Sequence, residues 1–116
     1  DDMLGLSANL NYYLFNGNVD LRKGIFRLCE SVREEMSLYP SDVSNVYMFM
    51  SRNRKVVKIL HYERGFYVLY EKRPVMGKFK RPVFDEVSKC YRIQWSDMAY
   101  LTESIVVDKM YVSPKE

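Results

Sequence analysis

Apolar positions follow two different periods along this chain, and the change between them divides it. Leu21, Ile25, Leu28, Cys29, Val32 and Met36 recur at spacings of 4, 3, 1, 3 and 4. That is one stripe of an amphipathic helix of about four turns. Asp20 stands just before the stripe as an N-cap, and Tyr39-Pro40-Ser41-Asp42 ends it. Upstream, Leu10 to Phe15 reads as a short aromatic-rich strand, followed by the turn cluster Asn16-Gly17-Asn18. From Val46 the period becomes that of strands. Val46–Ser51, Lys55–Glu63 and Phe66–Arg73 are β-rich runs separated by Arg52-Asn53-Arg54 and Arg64-Gly65, a meander of antiparallel hairpins. Pro74 stops the third run. Lys78–Arg81 continues the sheet as a short strand, and Tyr91–Gln94 adds another. Ser96 caps a short helix from Asp97 to about Ser104, with Met98 and Leu101 as its buried face. Val106-Val107 or Tyr111-Val112 supplies an edge strand, or residues 106–116 form a tail.

The order of elements predicts an α+β fold: a single antiparallel β-meander sheet, one long amphipathic helix packed on one face, and a short C-terminal helix. At 116 residues the chain is one domain with one core. Ten Tyr, six Phe and one Trp argue against disorder. No apolar run is long enough for a membrane span or a signal peptide, so the expected location is the cytoplasm. Cys29 and Cys90 form no CxxC pair and are expected as free, buried thiols.

Charge changes this picture most. Residues 52–82 hold ten Lys or Arg (Arg52, Arg54, Lys55, Lys58, Arg64, Lys72, Arg73, Lys78, Lys80, Arg81) against two acids, in a chain whose total is +3. Residues 1–51 carry four basic side chains against seven acidic, and residues 83–116 four against six. A basic block between acidic flanks points to a polyanion-facing surface, with DNA as the expected partner. The block is interleaved with Tyr62, Phe66, Tyr67, Tyr70 and Phe79, most of which a one-layer sheet needs for its core. The expected phosphate contacts are Arg52, Arg54, Lys55, Lys58, Lys72, Arg73, Lys78, Lys80 and Arg81, at hairpin tips and strand ends. Arg22 and Lys23, beside the helix start, form a second cluster.

Catalytic patterns are absent. The chain has no HExxH, P-loop or GxSxG, and its only histidine, His61, falls inside a strand. Asp20, Asp42, Glu63, Glu71, Asp85 and Asp97 have no spacing that forces them together around metal ions. The reading is therefore a protein without its own active site, cofactor or metal.

The order of motifs resembles that of a known family. Asp20-Leu21-Arg22-Lys23-Gly24 with Leu28 and Val32 is similar to the DxRKGxxxLxxxV segment of the Orf2-like (TnpB) accessory proteins of the sixty-six group of bacterial insertion sequences. Val46-Tyr47-Met48-Phe49 with Arg52 resembles that family's VFVFR strand, and Val57-Lys58-Ile59-Leu60-His61-Tyr62 its KIL-aromatic run. Gly65-Phe66, Leu69-Tyr70, Lys72-Arg73, Gly77, Phe79 and Pro82 follow GFxLYxKRxxxGxFxxP. Ile93, Trp95, Met98, Leu101 and Ile105 resemble the C-terminal WxxLxxLLxGI stretch. The likeness runs over residues 3–105. Arg81, Pro74 and Ser104 depart from it, where an aromatic residue, a leucine and a glycine are usual. The resemblance implies a small, cytoplasmic accessory protein of transposition, with strand chemistry left to a separate transposase. It leaves two modes of action: binding DNA or a transposase–DNA complex, or docking on the transposase or another accessory protein without touching DNA. Exposed sheet edges in so small a domain also leave room for a homodimer.

Overall fold

The computed structural model describes residues 6–17, 19–22 and 24–106. The elements are β1 (Asn11–Phe15), α1 (Ile25–Glu35), β2 (Asn45–Met50), β3 (Val57–Glu63), β4 (Phe66–Lys72), β5 (Lys78–Phe79), β6 (Cys90–Ile93), α2 (Trp95–Glu103) and β7 (Ile105–Val106). Five strands make the main sheet in the order β4-β3-β2-β1-β6, and β5 pairs with β7 in a second, two-stranded sheet.

The fold is α+β, but the expected single antiparallel meander is only part of it. β2, β3 and β4 form the meander. β1 joins β2 in parallel, Asn11 beside Asn45 through Phe15 beside Phe49, and β6 pairs with β1 antiparallel. A helix lies between β1 and β2, so no hairpin can connect them; a crossover returns the chain in the same direction. Lys78–Arg81 does not extend the main sheet. Lys78 and Phe79 pair instead with Val106 and Ile105. The Tyr111-Val112 alternative lies outside the described residues.

Period-2 alternation sends side chains to both faces of the sheet, and both are covered. On one face Phe15, Tyr47, Phe49 and Leu60 pack with Leu28, Cys29 and Val32 of α1. On the other, Tyr12, Leu14, Val46, Met48, Val57 and Ile59 pack with Phe79, Met98 and Leu101. β2 contributes to both cores, and five of its six residues are buried. This explains its unbroken apolar run.

The main helix is shorter than its stripe. It spans three turns, with Gly24 at the N-cap position and no side-chain cap. Leu21 and Met36 are buried but lie outside it. Asp20 is not its cap: its carboxylate accepts the Arg22 backbone N–H and grips the Arg22 guanidinium, all at 3.0 Å. The helix closes through Ser37, in the left-handed region at φ 56°, with the Leu38 N–H donating to the Val32 carbonyl. The second helix starts earlier than its pattern suggested. Gln94, not Ser96, is the cap, in a reciprocal capping box with Asp97.

Two glycines are dictated by geometry. Arg64-Gly65 closes the β3–β4 hairpin with both residues at positive φ, 48° and 86°, the requirement of a two-residue type I′ turn. Gly77 has φ 78°, and a Cβ there would strike the Val106 carbonyl oxygen, so only glycine lets β5 meet β7. Phe49 is fully buried in the α1-side core. Its replacement by alanine is expected to cost about 3–5 kcal/mol, read from the shift in urea midpoint. A loss under about 1 kcal/mol would contradict this packing.

Candidate anion-binding cleft

Strand directions decide where the basic residues go. The carboxyl ends of β1, β2 and β4 and the amino ends of β3 and β6 all lie at one end of the main sheet. The β1–α1 segment, the β2–β3 turn and the end of β4 therefore cluster there. Crevices outside the carboxyl ends of parallel strands are recurrent ligand sites in sheets with helical crossovers.

A cleft of about 940 Å³ opens at this end, lined by Arg22, Arg52, Arg54 and Arg81 with Asp20 and Glu86 as the acids. Arg22 reaches it from the β1–α1 segment, its side chain 92% exposed and held by Asp20. Arg52 and Arg54 come from the β2–β3 turn. That turn is built by Ser51 and Asn53: Ser51 Oγ accepts the Lys55 and Val56 N–H groups, and Asn53 Oδ1 accepts the Lys55 N–H as well. Arg54 takes a left-handed φ of 60°, and its carbonyl accepts the Phe79 N–H at 2.8 Å. This bond ties the turn to β5 and so brings Arg81, two residues on, to the same cleft. Phe84 and Tyr91 stack at 3.6 Å, nearly parallel, and also line the cleft. Tyr91 is pinned by its hydroxyl, which donates to the Glu86 carbonyl and accepts the Ser88 N–H.

The other expected contacts divide. Lys55 is exposed beside Arg54; Lys72 is half-buried at the end of β4; Lys78 is half-buried at the start of β5. Arg73 is turned to Glu71, Nε to Oε2 at 2.6 Å. Lys80 points away from the cleft, bonding the Tyr100 hydroxyl at 2.9 Å and lying over that ring. Lys23 lies outside the described residues. Lys58 requires a correction. It is buried, its ammonium donates to the Leu21 carbonyl, and it pairs with Glu71 at 3.5 Å. A basic residue in an alternating strand reads as a surface charge, yet the Lys58 position faces α1. Its charge is spent tying the crossover segment to the sheet.

Other polar groups have local work. His61 is buried, with Nδ1 3.1 Å from the Asn45 carbonyl. Asn11, Asn45 and Tyr47 are joined by hydrogen bonds at the far end, where Tyr47 donates to the Tyr39 carbonyl at 2.6 Å. Burial pushes the Tyr47 phenol up to about 12, so it stays a donor. Both cysteines are free, Cys29 buried and Cys90 half-buried, and burial raises both thiols. Among the described residues no three His, Cys, Asp or Glu side chains gather as a metal site, and no helix is long and apolar enough to cross a membrane. Sequence reasoning read Asp20 as a helix cap rather than a cleft residue, and missed Glu86 and the Phe84–Tyr91 stack in the cleft. Phe84 and Tyr91 meet across an irregular segment whose periodicity carries no signal.

The fold and cleft define a small α+β protein with an arginine-lined crevice at the carboxyl ends of two parallel strands. The chain belongs to the family described as IS66 Orf2 like protein, whose model matches residues 10–111. This makes it an accessory protein of insertion-sequence transposition. No curated protein and no solved structure matches the chain. Several residues that carry the family pattern have structural roles: Gly65 in the hairpin, Gly77 against β7, Lys58 as the donor to the Leu21 carbonyl, and Trp95 packed 5.3 Å from the Tyr12 ring.

Two predictions test the division between structural and exposed charge. Lys58→Met leaves the Leu21 carbonyl unpaired and is expected to cost about 1–3 kcal/mol in urea unfolding, while any affinity for polyanions stays unchanged. An unchanged stability would contradict the tether. The Arg73 guanidinium, aided by Lys58, holds the Glu71 carboxyl below its ordinary value despite some opposing desolvation. A depressed carboxylate contributes stability that is complete above the ordinary carboxylate range and is lost as pH falls through the folded value. Glu71→Gln should therefore flatten the acid limb of the stability–pH curve. An identical acid limb in the variant would show that Glu71 does not contribute.

Proposed function

We propose that the protein is a non-catalytic accessory factor of transposition that binds DNA, alone or in a transposase–DNA complex, through the arginine cleft. The observation that carries this reading is the convergence of Arg22, Arg52, Arg54 and Arg81, from three separate segments, on one cleft. Guanidinium groups offer planar donor forks suited to phosphate oxygens. Lys55, Lys72 and Lys78 extend the positive field around the cleft, where duplex or single strand would pass. The non-catalytic part is supported by three carboxylates that serve structure. Asp20 holds Arg22, Glu71 holds Arg73 and Lys58, and Asp97 caps α2.

Phosphate binding releases counterions, so log affinity should fall linearly with log salt, with a slope of about −3 to −4 for four engaged phosphates. Neutralising Arg54 and Arg81 together should make that slope shallower by about two and weaken binding uniformly across DNA sequences. Fluorescence anisotropy with labelled duplex and single-stranded DNA measures both. Salt-independent binding, or affinity unchanged by neutralising Arg52, Arg54 and Lys55, would rule the reading out.

One observation favours protein docking as a second reading. Val83 and Val87 stand 91% and 100% exposed beside the cleft, as apolar anchors for a partner surface would. Pulldown with purified transposase, with and without nuclease, separates the two: association that survives nuclease supports docking, and association that is lost supports DNA.

A further inference from the structure

The main sheet has two edges that differ in exposure. β6 is a four-residue edge strand. β4 is seven residues long, with no proline or bulge, and every residue pairs in register with β3. The Arg64-Gly65 turn makes Glu63 and Phe66 a hydrogen-bonded pair, so Val68, Tyr70 and Lys72 also turn their backbone groups to β3. The Ser51 N–H to Val56 carbonyl bond fixes the same parity from the other side of β3. The N–H and C=O groups of Tyr67, Leu69 and Glu71 therefore point outward, and no described residue bonds them. Such an edge is a template for another strand.

We propose that β4 pairs antiparallel with β4 of a second copy about a two-fold axis at Leu69. Three outward residues spaced symmetrically about Leu69 make the edge self-complementary: Leu69 meets Leu69, and Tyr67 meets Glu71, using all six outward groups on each strand. Side chains fit this register. Lys72 of the second copy falls opposite Phe66, which is 72% exposed, and a cation over that ring is favourable. Val68 falls opposite Tyr70, and Arg73 opposite Gly65, so no like charges meet. Shifting two residues toward the turn sets Arg64 against Lys72, and shifting two residues the other way leaves one outward residue of each strand unpaired. Phe26, 74% exposed on α1 and edge-on to Tyr67, extends the apolar surface along the seam. The two sheets become one of ten strands, with the arginine clefts at opposite ends. This inference is independent of what the cleft binds.

Sedimentation equilibrium on the full chain, with amide hydrogen exchange at low and high concentration, tests it. The expected result is a reversible dimer in which the Tyr67, Leu69 and Glu71 amides gain at least about tenfold protection as concentration rises. The Val68 and Tyr70 amides, already bonded to β3, should stay protected throughout. Leu69→Cys should cross-link to itself under mild oxidation, whereas Tyr67→Cys and Glu71→Cys should cross-link no more than the unaltered chain. A monomer at all concentrations, a dimer that leaves those three amides unprotected, or cross-linking outside this register would each overturn the proposal.

Discussion

β1 and β2 lie side by side and parallel at the middle of the main sheet, from Asn11 beside Asn45 to Phe15 beside Phe49. The chain must therefore leave β1 at one end of the sheet and enter β2 at the other, with α1 making the return journey over one face. Every later placement inherits that constraint. The segment leaving β1 carries Arg22, the turn leaving β2 carries Arg52 and Arg54, and parallel pairing sets them against each other. Had β1 paired antiparallel, Arg22 would sit at the opposite end from the β2–β3 turn, and four arginines could not share one cleft.

Two tethers hold this arrangement. The buried Lys58 ammonium reaches the Leu21 carbonyl and fixes the crossover segment to β3. The Arg54 carbonyl accepts the Phe79 N–H and fixes the second sheet to the β2–β3 turn. Neither is a surface ion pair of little consequence. Lys58 is buried, and a buried cation must be matched by partners or it is costly. Leu21 and Glu71 are those partners. The same basic block thus does two kinds of work: Lys58 and Arg73 hold structure, and Arg52, Arg54 and Arg81 line the cleft.

Much of this was legible in the sequence, because it is local. The β2–β3–β4 meander shows in alternation and turn residues, Arg64-Gly65 above all. The burial of Leu28, Cys29 and Val32 shows in the helical stripe, and that of Met98 and Leu101 in the second helix. What was not legible depends on pairing between distant segments. Alternation gives the faces of β1 but not its direction beside β2. The lone Lys58 among apolar neighbours looks like any strand lysine until α1 covers that face. Asp20 precedes a helical stripe, as caps do, but the helix proper begins at Ile25 and Asp20 binds Arg22 instead. Arg22 and Arg81 are 59 positions apart, and no pattern joins them until the sheet is assembled.

The central claim is that the four arginines gathered in one cleft form the proposed DNA-binding site. Nuclear magnetic resonance of the labelled protein during titration with a short DNA tests it most directly, because it reports which residues sense the ligand. The account predicts the largest shift changes at the Arg22, Arg52, Arg54 and Arg81 side-chain Nε signals and along the Ser51–Val56 backbone, with the Arg64-Gly65 turn unmoved. Changes centred on the Arg64-Gly65 turn, or spread evenly over all exposed lysines and arginines, would contradict it.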